Sequence, residues 1–145
     1  MRTSKTWNGY CQIYQGDIVL MRVPDDLEIA TTDEISPQDG RLILAEGEFT
    51  GHHHAIDVAA PATRGKVKTR AKGVAKFYRA PSATRHLVRQ GVLTTDRLAI
   101  GFLVVTGGPV MLRHEEHDAL QIDPGTYYIG AQREMDSSEE RRIKD

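Results

Sequence analysis

Apolar and polar residues alternate with period two along most of the chain, the pattern of strands lying on a half-buried sheet. The run QIYQGDIVLMRV (12–23) carries apolar residues on both phases, Ile18 and Leu20 on one and Val19, Met21 and Val23 on the other. It predicts a strand covered on both faces at its centre. Pro24, Pro37 and the pair Asp39–Gly40 mark 24–40 as loop. RLILAEGEFT (41–50) and HHHAIDVA (52–59) read as the next two strands, with Gly51 forming a tight turn or bulge between them.

The middle of the chain changes character. GKVKTRAKGVAKFYRAP (65–81) places Lys66, Lys68, Arg70 and Lys72 on one strand face, which predicts a protruding basic arm over 64–81. A short helix is expected over Ser82–Gln90, with Ser82 as cap, Leu87 and Val88 as apolar contacts and Gly91 as the stop. The most apolar strand lies in RLAIGFLVVT, followed by a Gly107–Gly108 turn and another strand. ALQIDPGTYYIGAQRE reads as a hairpin around Asp123–Pro124–Gly125, an order that fits a type II turn. The tail predicts a short capped helix near Ser137–Ile143 or, like residues 1–10, an extended or flexible end. The expected fold is all-β, a single domain over 1–145 forming a small barrel or sandwich with at most one or two short helices.

Composition adds three constraints. The chain of 145 residues is long enough for one real core, and its single cysteine, Cys11, excludes an internal disulfide and fits a reducing compartment. No apolar run approaches the ~20 residues a membrane-spanning helix needs. The N-terminus lacks the apolar stretch of a signal peptide, so the expected location is cytoplasmic or in a virion, with no membrane partner. Net charge is −1, yet the charge is segregated. Val58 to Thr95 holds nine basic residues and no carboxylate, whereas Asp17 to Asp57 holds ten carboxylates against Arg22 and Arg41. Residues 115–145 are acidic again. Such a distribution steers a polyanion or pairs one copy's basic segment with another's acidic surface.

Candidate chemistry centres on histidine. On a strand, His52 and His54 share a face while His53 points away, the spacing two imidazoles need to chelate one ion. His114 and His117 bracket Glu115 and Glu116 just before another strand. The candidate metal set is therefore His52, His54, His114, His117 and Glu116, with a divalent ion such as zinc. HEEH spaces its histidines three apart, unlike the four of the zinc-protease helix. Gly107–Gly108 leads into a proline and a strand, so it is no phosphate loop. Ser36, Ser82, Ser137 and Ser138 occupy no nucleophile elbow. Phe77 and Tyr78 lie between Lys76 and Arg79, where bases could stack while cations meet phosphates.

Two resemblances follow from these motifs. GHHH is similar to the start of the first cupin motif, but the glutamate that motif requires is replaced by Val58 or Ala59, with Asp57 slightly early. No histidine follows Pro124–Gly125, where the second cupin motif has one. A longer string, Gln15-Gly16-Asp17, EGEFTGHHH, HEEH and PGTYYIGAQRE, resembles small uncharacterised β-proteins of bacteria and phages. It spans most of the chain except the basic middle. That resemblance implies a real site at these motifs without implying its chemistry.

The leading expectation is a non-catalytic structural or interaction protein that self-associates or decorates a larger assembly, such as a virus particle. Its contacts would come from Arg64, Lys66, Lys68, Arg70, Lys72, Lys76 and Arg79, with copies of itself or an assembly subunit as partner. An incomplete catalytic constellation leans against an enzyme. The alternatives are a cupin-like metal enzyme, in which Glu115 or Glu116 moves a proton, and a nucleic-acid-contacting module.

Overall fold

A computed structural model describes residues 3–7, 10–46, 53–58, 73–115, 117–135 and 140–142. In chain order its elements are β1 (Thr3–Trp7), β2 (Tyr10–Gln15), β3 (Ile18–Val23), a 3₁₀ turn (Thr31–Asp33), β4 (Glu34–Ile35), β5 (Arg41–Glu46) and β6 (His53–Asp57). Then come β7 (Val74–Tyr78), α1 (Pro81–Arg89), β8 (Ala99–Thr106), β9 (Val110–Arg113), β10 (Leu120–Ile122), β11 (Gly125–Ala131), β12 (Arg133–Met135) and β13 (Glu140–Arg142). Two antiparallel sheets face each other. The large one runs β1-β2-β3-β11-β8-β7-β4 and the small one β10-β9-β6-β5, with β12 and β13 forming a separate pair. Among the described residues the domain is all-β with one α-helix, and its sheets form an open sandwich, not a closed barrel. No described helix is long and apolar enough to cross a membrane.

Two cores explain why so many strands carry apolar residues on both phases. Between the sheets, Ile18, Leu20, Phe77, Leu103 and Ile129 of the large sheet meet Leu42, Ile56, Leu112 and Ile122 of the small one. On the other side of the large sheet, Met21, Val23, Phe102 and Tyr128 pack under Ala83 and Leu87 of α1 and under Val92 and Leu93. The inner phase of β3 therefore feeds one core and its outer phase the other. Each fully buried side chain of this kind contributes about 1.5–3 kcal/mol relative to exposure.

Several boundaries differ from expectation. The run 12–23 is a hairpin, not one strand. Gly16 takes a φ of 57°, and the Gly16–Asp17 turn sets Gln15 opposite Ile18. The stretch around Asp123–Pro124 is a crossover. β10 pairs with β9 in the small sheet, while β11 pairs with β3 and β8 in the large one. Leu120 and Ile122 thus enter the inner core from one side, and Tyr127 and Ile129 from the other. Helix α1 starts at Pro81 behind Ala80, so Ser82 lies inside its first turn and caps nothing. Its C-terminal end is as expected, with Gly91 at a φ of 77° and its N–H donating to the Val88 carbonyl. In the tail, Glu140–Arg142 is extended and pairs as a strand with Arg133–Met135, in place of the alternative helix. Of the expected arm, 64–72 lies outside the described residues. Val74–Tyr78 is a sheet strand paired along its length with β8.

Candidate functional site

Pairing of β6 with β9 sets Ala55 opposite Arg113 and Ile56 opposite Leu112. The same register brings His54 beside His114. Their ring centroids are 4.3 Å apart, those of His114 and His117 are 4.5 Å apart, and those of His54 and His117 are 6.3 Å apart and nearly parallel. Three of the histidines expected to share a site thus come together, from two segments about sixty residues apart. His52 and Glu116 lie outside the described residues.

The period of the strand decides the fate of each neighbour. His54 has the phase of Ile56 and enters the space between the sheets, where it is fully buried. His53 takes the opposite phase and is half-buried, its backbone N–H donating to the Glu115 carboxylate at 2.9 Å. Facing His54 from the large sheet are Gln15, the last residue of β2, and Asp17 of the β2–β3 turn, both buried. The His54 ring meets both: Nδ1 lies 2.8 Å from Gln15 Oε1 and Nε2 lies 2.9 Å from Asp17 Oδ1.

Hydrogen-bond bookkeeping fixes most of this arrangement. The Gln15 amide nitrogen donates to the Leu112 and Asp118 carbonyls at 3.1 and 2.9 Å, which leaves its oxygen turned toward His54. An amide oxygen only accepts, so Nδ1 carries a proton and donates it. The Nε2–Oδ1 contact then holds a second proton, binding imidazole and carboxylate together in a low-dielectric setting. In this state both ring nitrogens of His54 are engaged and neither presents a lone pair to an ion. Among the described residues no three His, Cys, Asp or Glu side chains are grouped to hold a metal ion. Gln132 closes the end of the sandwich, its backbone N–H donating to the Asp17 carbonyl at 2.9 Å and its side-chain amide to the Gly16 carbonyl at 2.8 Å.

Every motif of the string noted in the sequence therefore reaches one place. Gln15-Gly16-Asp17 supplies the acceptors, GHHH the central ring, HEEH the two neighbouring rings, and Gln132 of the last motif holds the turn. Residues 14–132 match the model of a domain of unknown function, DUF8820. The chain belongs to this family. The DUF8820 match takes in Gln15, Asp17, His54, His114, His117 and Gln132, and stops short of β12 and β13. No curated protein and no solved structure matches the chain.

Sequence reasoning missed Gln15 and Asp17 as partners of His54. The signal was there: Gln15 stands on the inward phase of β2 with Ile13, a polar residue where the pattern calls for an apolar one. Of the basic residues, Lys76 and Arg79 are exposed at β7 and just beyond it, and Arg79 Nη1 donates to the Ile100 carbonyl at 3.2 Å. Arg64, Lys66, Lys68, Arg70 and Lys72 lie outside the described residues. Base stacking on Phe77 and Tyr78 is excluded in this fold, because the first ring fills the inter-sheet core and the second the core under α1. On the outer face of the small sheet Asp57 sits between Arg41 at 3.9 Å and Arg113 at 3.5 Å, an exposed arrangement of small energetic weight.

Proposed function

We propose that this DUF8820 domain is a non-catalytic interaction module that associates with copies of itself or decorates a larger assembly, in the cytoplasm or on a virus particle. His54 carries this reading. Its ring is buried with both nitrogens engaged by Gln15 and Asp17, so the most distinctive polar motif clasps two sheets instead of opening toward a substrate. A rigid clasp suits a subunit that must present fixed surfaces. The segregated charge supplies the contact: the basic residues from Arg64 to Arg79 of one copy meet the Asp25–Glu34 loop of another, where Asp26 and Glu28 are exposed. Light scattering on the full chain tests it. Lys66→Glu with Lys68→Glu and Arg70→Glu is expected to reduce an oligomeric mass to that of one chain at physiological salt, with the fold retained. An unchanged mass defeats the proposal.

The close chain of rings favours a second reading, a divalent metal such as zinc. His114 and His117 would hold it with His52 and Glu116, His54 having turned from Asp17, in a cupin-like enzyme where Glu115 or Glu116 moves a proton. Elemental analysis of untagged protein separates the readings. Stoichiometric metal, lost in a His114→Ala, His117→Ala variant that still folds, puts the second ahead.

A further inference from the structure

The outer face of the large sheet holds a second buried polar group, set quite differently from His54. Antiparallel register lines up Gln12 of β2, Met21 of β3, Tyr128 of β11 and Phe102 of β8 in one row across four strands. Val19 and Gly130 pair in the row beside it. The Tyr128 ring lies along its own strand, and its hydroxyl reaches over Gly130, where a Cβ would come within 2.5 Å of it. Only glycine leaves room for the phenol there. Tyr128 is 4% exposed and packs edge-on against Phe102; its hydroxyl forms no hydrogen bond among the described residues and is not sealed from solvent.

That hydroxyl borders a recess of about 140 Å³, with Gln12, Val19, Met21, Tyr128 and Ala131 from the sheet on one side and Leu93, Thr94, Thr95 and Leu98 on the other. Among the described residues, no charged side chain lines it. The Gln12 amide oxygen already accepts from the Tyr14 hydroxyl at 2.6 Å, so the amide nitrogen is the donor Gln12 has left. Burial, with a smaller push from the Asp96 carboxylate, raises the Tyr128 phenol to about 12, so at physiological pH it is a neutral donor. An acceptor arriving in the recess would take this hydrogen bond in place of water. Apolar cavities of about this size, roughly 150 Å³, take up a single benzene ring.

We infer that this recess is a binding site for a small uncharged molecule, about the size of one substituted ring, with an apolar body and a carbonyl oxygen that accepts from the Tyr128 hydroxyl. The inference stands apart from the proposal about assembly and from the histidine cluster, which lies between the sheets. The apolar walls made by Val19, Met21, Leu93 and Leu98 select the body, the two donors select the oxygen, and the lack of charge among the described wall residues disfavours ions.

Ligand-observed NMR on the full chain, with acetophenone, ethylbenzene and benzoate as probes, tests it. Acetophenone is expected to bind about tenfold more tightly than ethylbenzene, the worth of one well-made buried hydrogen bond, and benzoate not to bind. Tyr128→Phe is expected to erase the preference for the ketone while leaving ethylbenzene binding in place. Leu98→Trp, which fills the recess, is expected to abolish both. Melting curves show that each variant is folded. The inference is overturned by failure of acetophenone to bind, by an unchanged ketone preference in Tyr128→Phe, or by a crystal soaked in acetophenone that holds only water in the recess.

Discussion

His54 and Tyr128 lie on opposite sides of the large sheet and are both almost wholly buried, but their polar atoms fare oppositely. Both ring nitrogens of His54 are matched by acceptors, and its neighbour Gln15 is in turn held by two backbone carbonyls. The Tyr128 hydroxyl faces a recess instead. A buried polar group that is fully matched fixes how two sheets meet, whereas a hydroxyl that opens on a recess keeps a capacity for something else. Among the described residues, the more conspicuous motif is the one whose central ring is already fully engaged.

That contrast breaks most directly at His54. His54→Ala leaves the Asp17 carboxylate buried beside an empty site, so a loss of about 3–5 kcal/mol is expected in urea unfolding. Asp17→Ala in the same background should add much less than it does alone, because the partner is already gone. A loss under about 1 kcal/mol for His54→Ala would show that the clasp does not hold the sheets.

Alkaline pH probes the other side of the sheet. The folded-state value of Tyr128 lies at about 12, above its ordinary 10.0. The neutral phenol's contribution is therefore complete below pH 10 and is lost as pH rises from there through 12. A span of two units corresponds to roughly 3 kcal/mol. Tyr128→Phe is expected to reduce that alkaline slope, leaving the part due to Tyr127, which burial also raises, while at neutral pH it changes stability by less than about 1 kcal/mol, since no partner loses a bond. Thermal melts from pH 9 to pH 12.5 compare the two proteins.

Gly130→Ala puts a methyl group within 2.5 Å of the Tyr128 hydroxyl, and about 1–3 kcal/mol of overpacking is expected. In the Tyr128→Phe background part of that cost should disappear. Full additivity would mean that hydroxyl and glycine do not share the space.

The smallest effect lies on the exposed rim. Hydrogen bonding from the Arg22 guanidinium, 3.1 Å away, holds Asp25 below its ordinary 3.8 despite an opposing effect of desolvation. A lowered folded-state value stabilises above the ordinary carboxylate range and is lost as pH falls through it. Arg22→Ala is expected to return Asp25 toward 3.8 in an NMR titration, with little change in melting temperature at neutral pH. The pair is largely solvated, so it anchors the start of a loop and does not brace a core.

Local pattern decided much of this molecule. Alternation gave the strands, the all-β class and the helix ending at Gly91, because burial on a sheet repeats every two residues and a helix stop needs only one permissive backbone position. It also drew attention to GHHH and HEEH. Tertiary structure decided the rest. Whether Gly16–Asp17 interrupts a strand or turns a hairpin, and whether Asp123–Pro124 closes a hairpin or crosses between sheets, depends on which strands pair, and an apolar run looks the same in either case. Gln15 became the partner of His54 only when two sheets met face to face. Tyr128 acquired an open donor only because the chain at 93–98 borders the outer face of the large sheet. Hydrogen bonds between residues far apart in the chain are set by packing, and no spacing along the sequence encodes them.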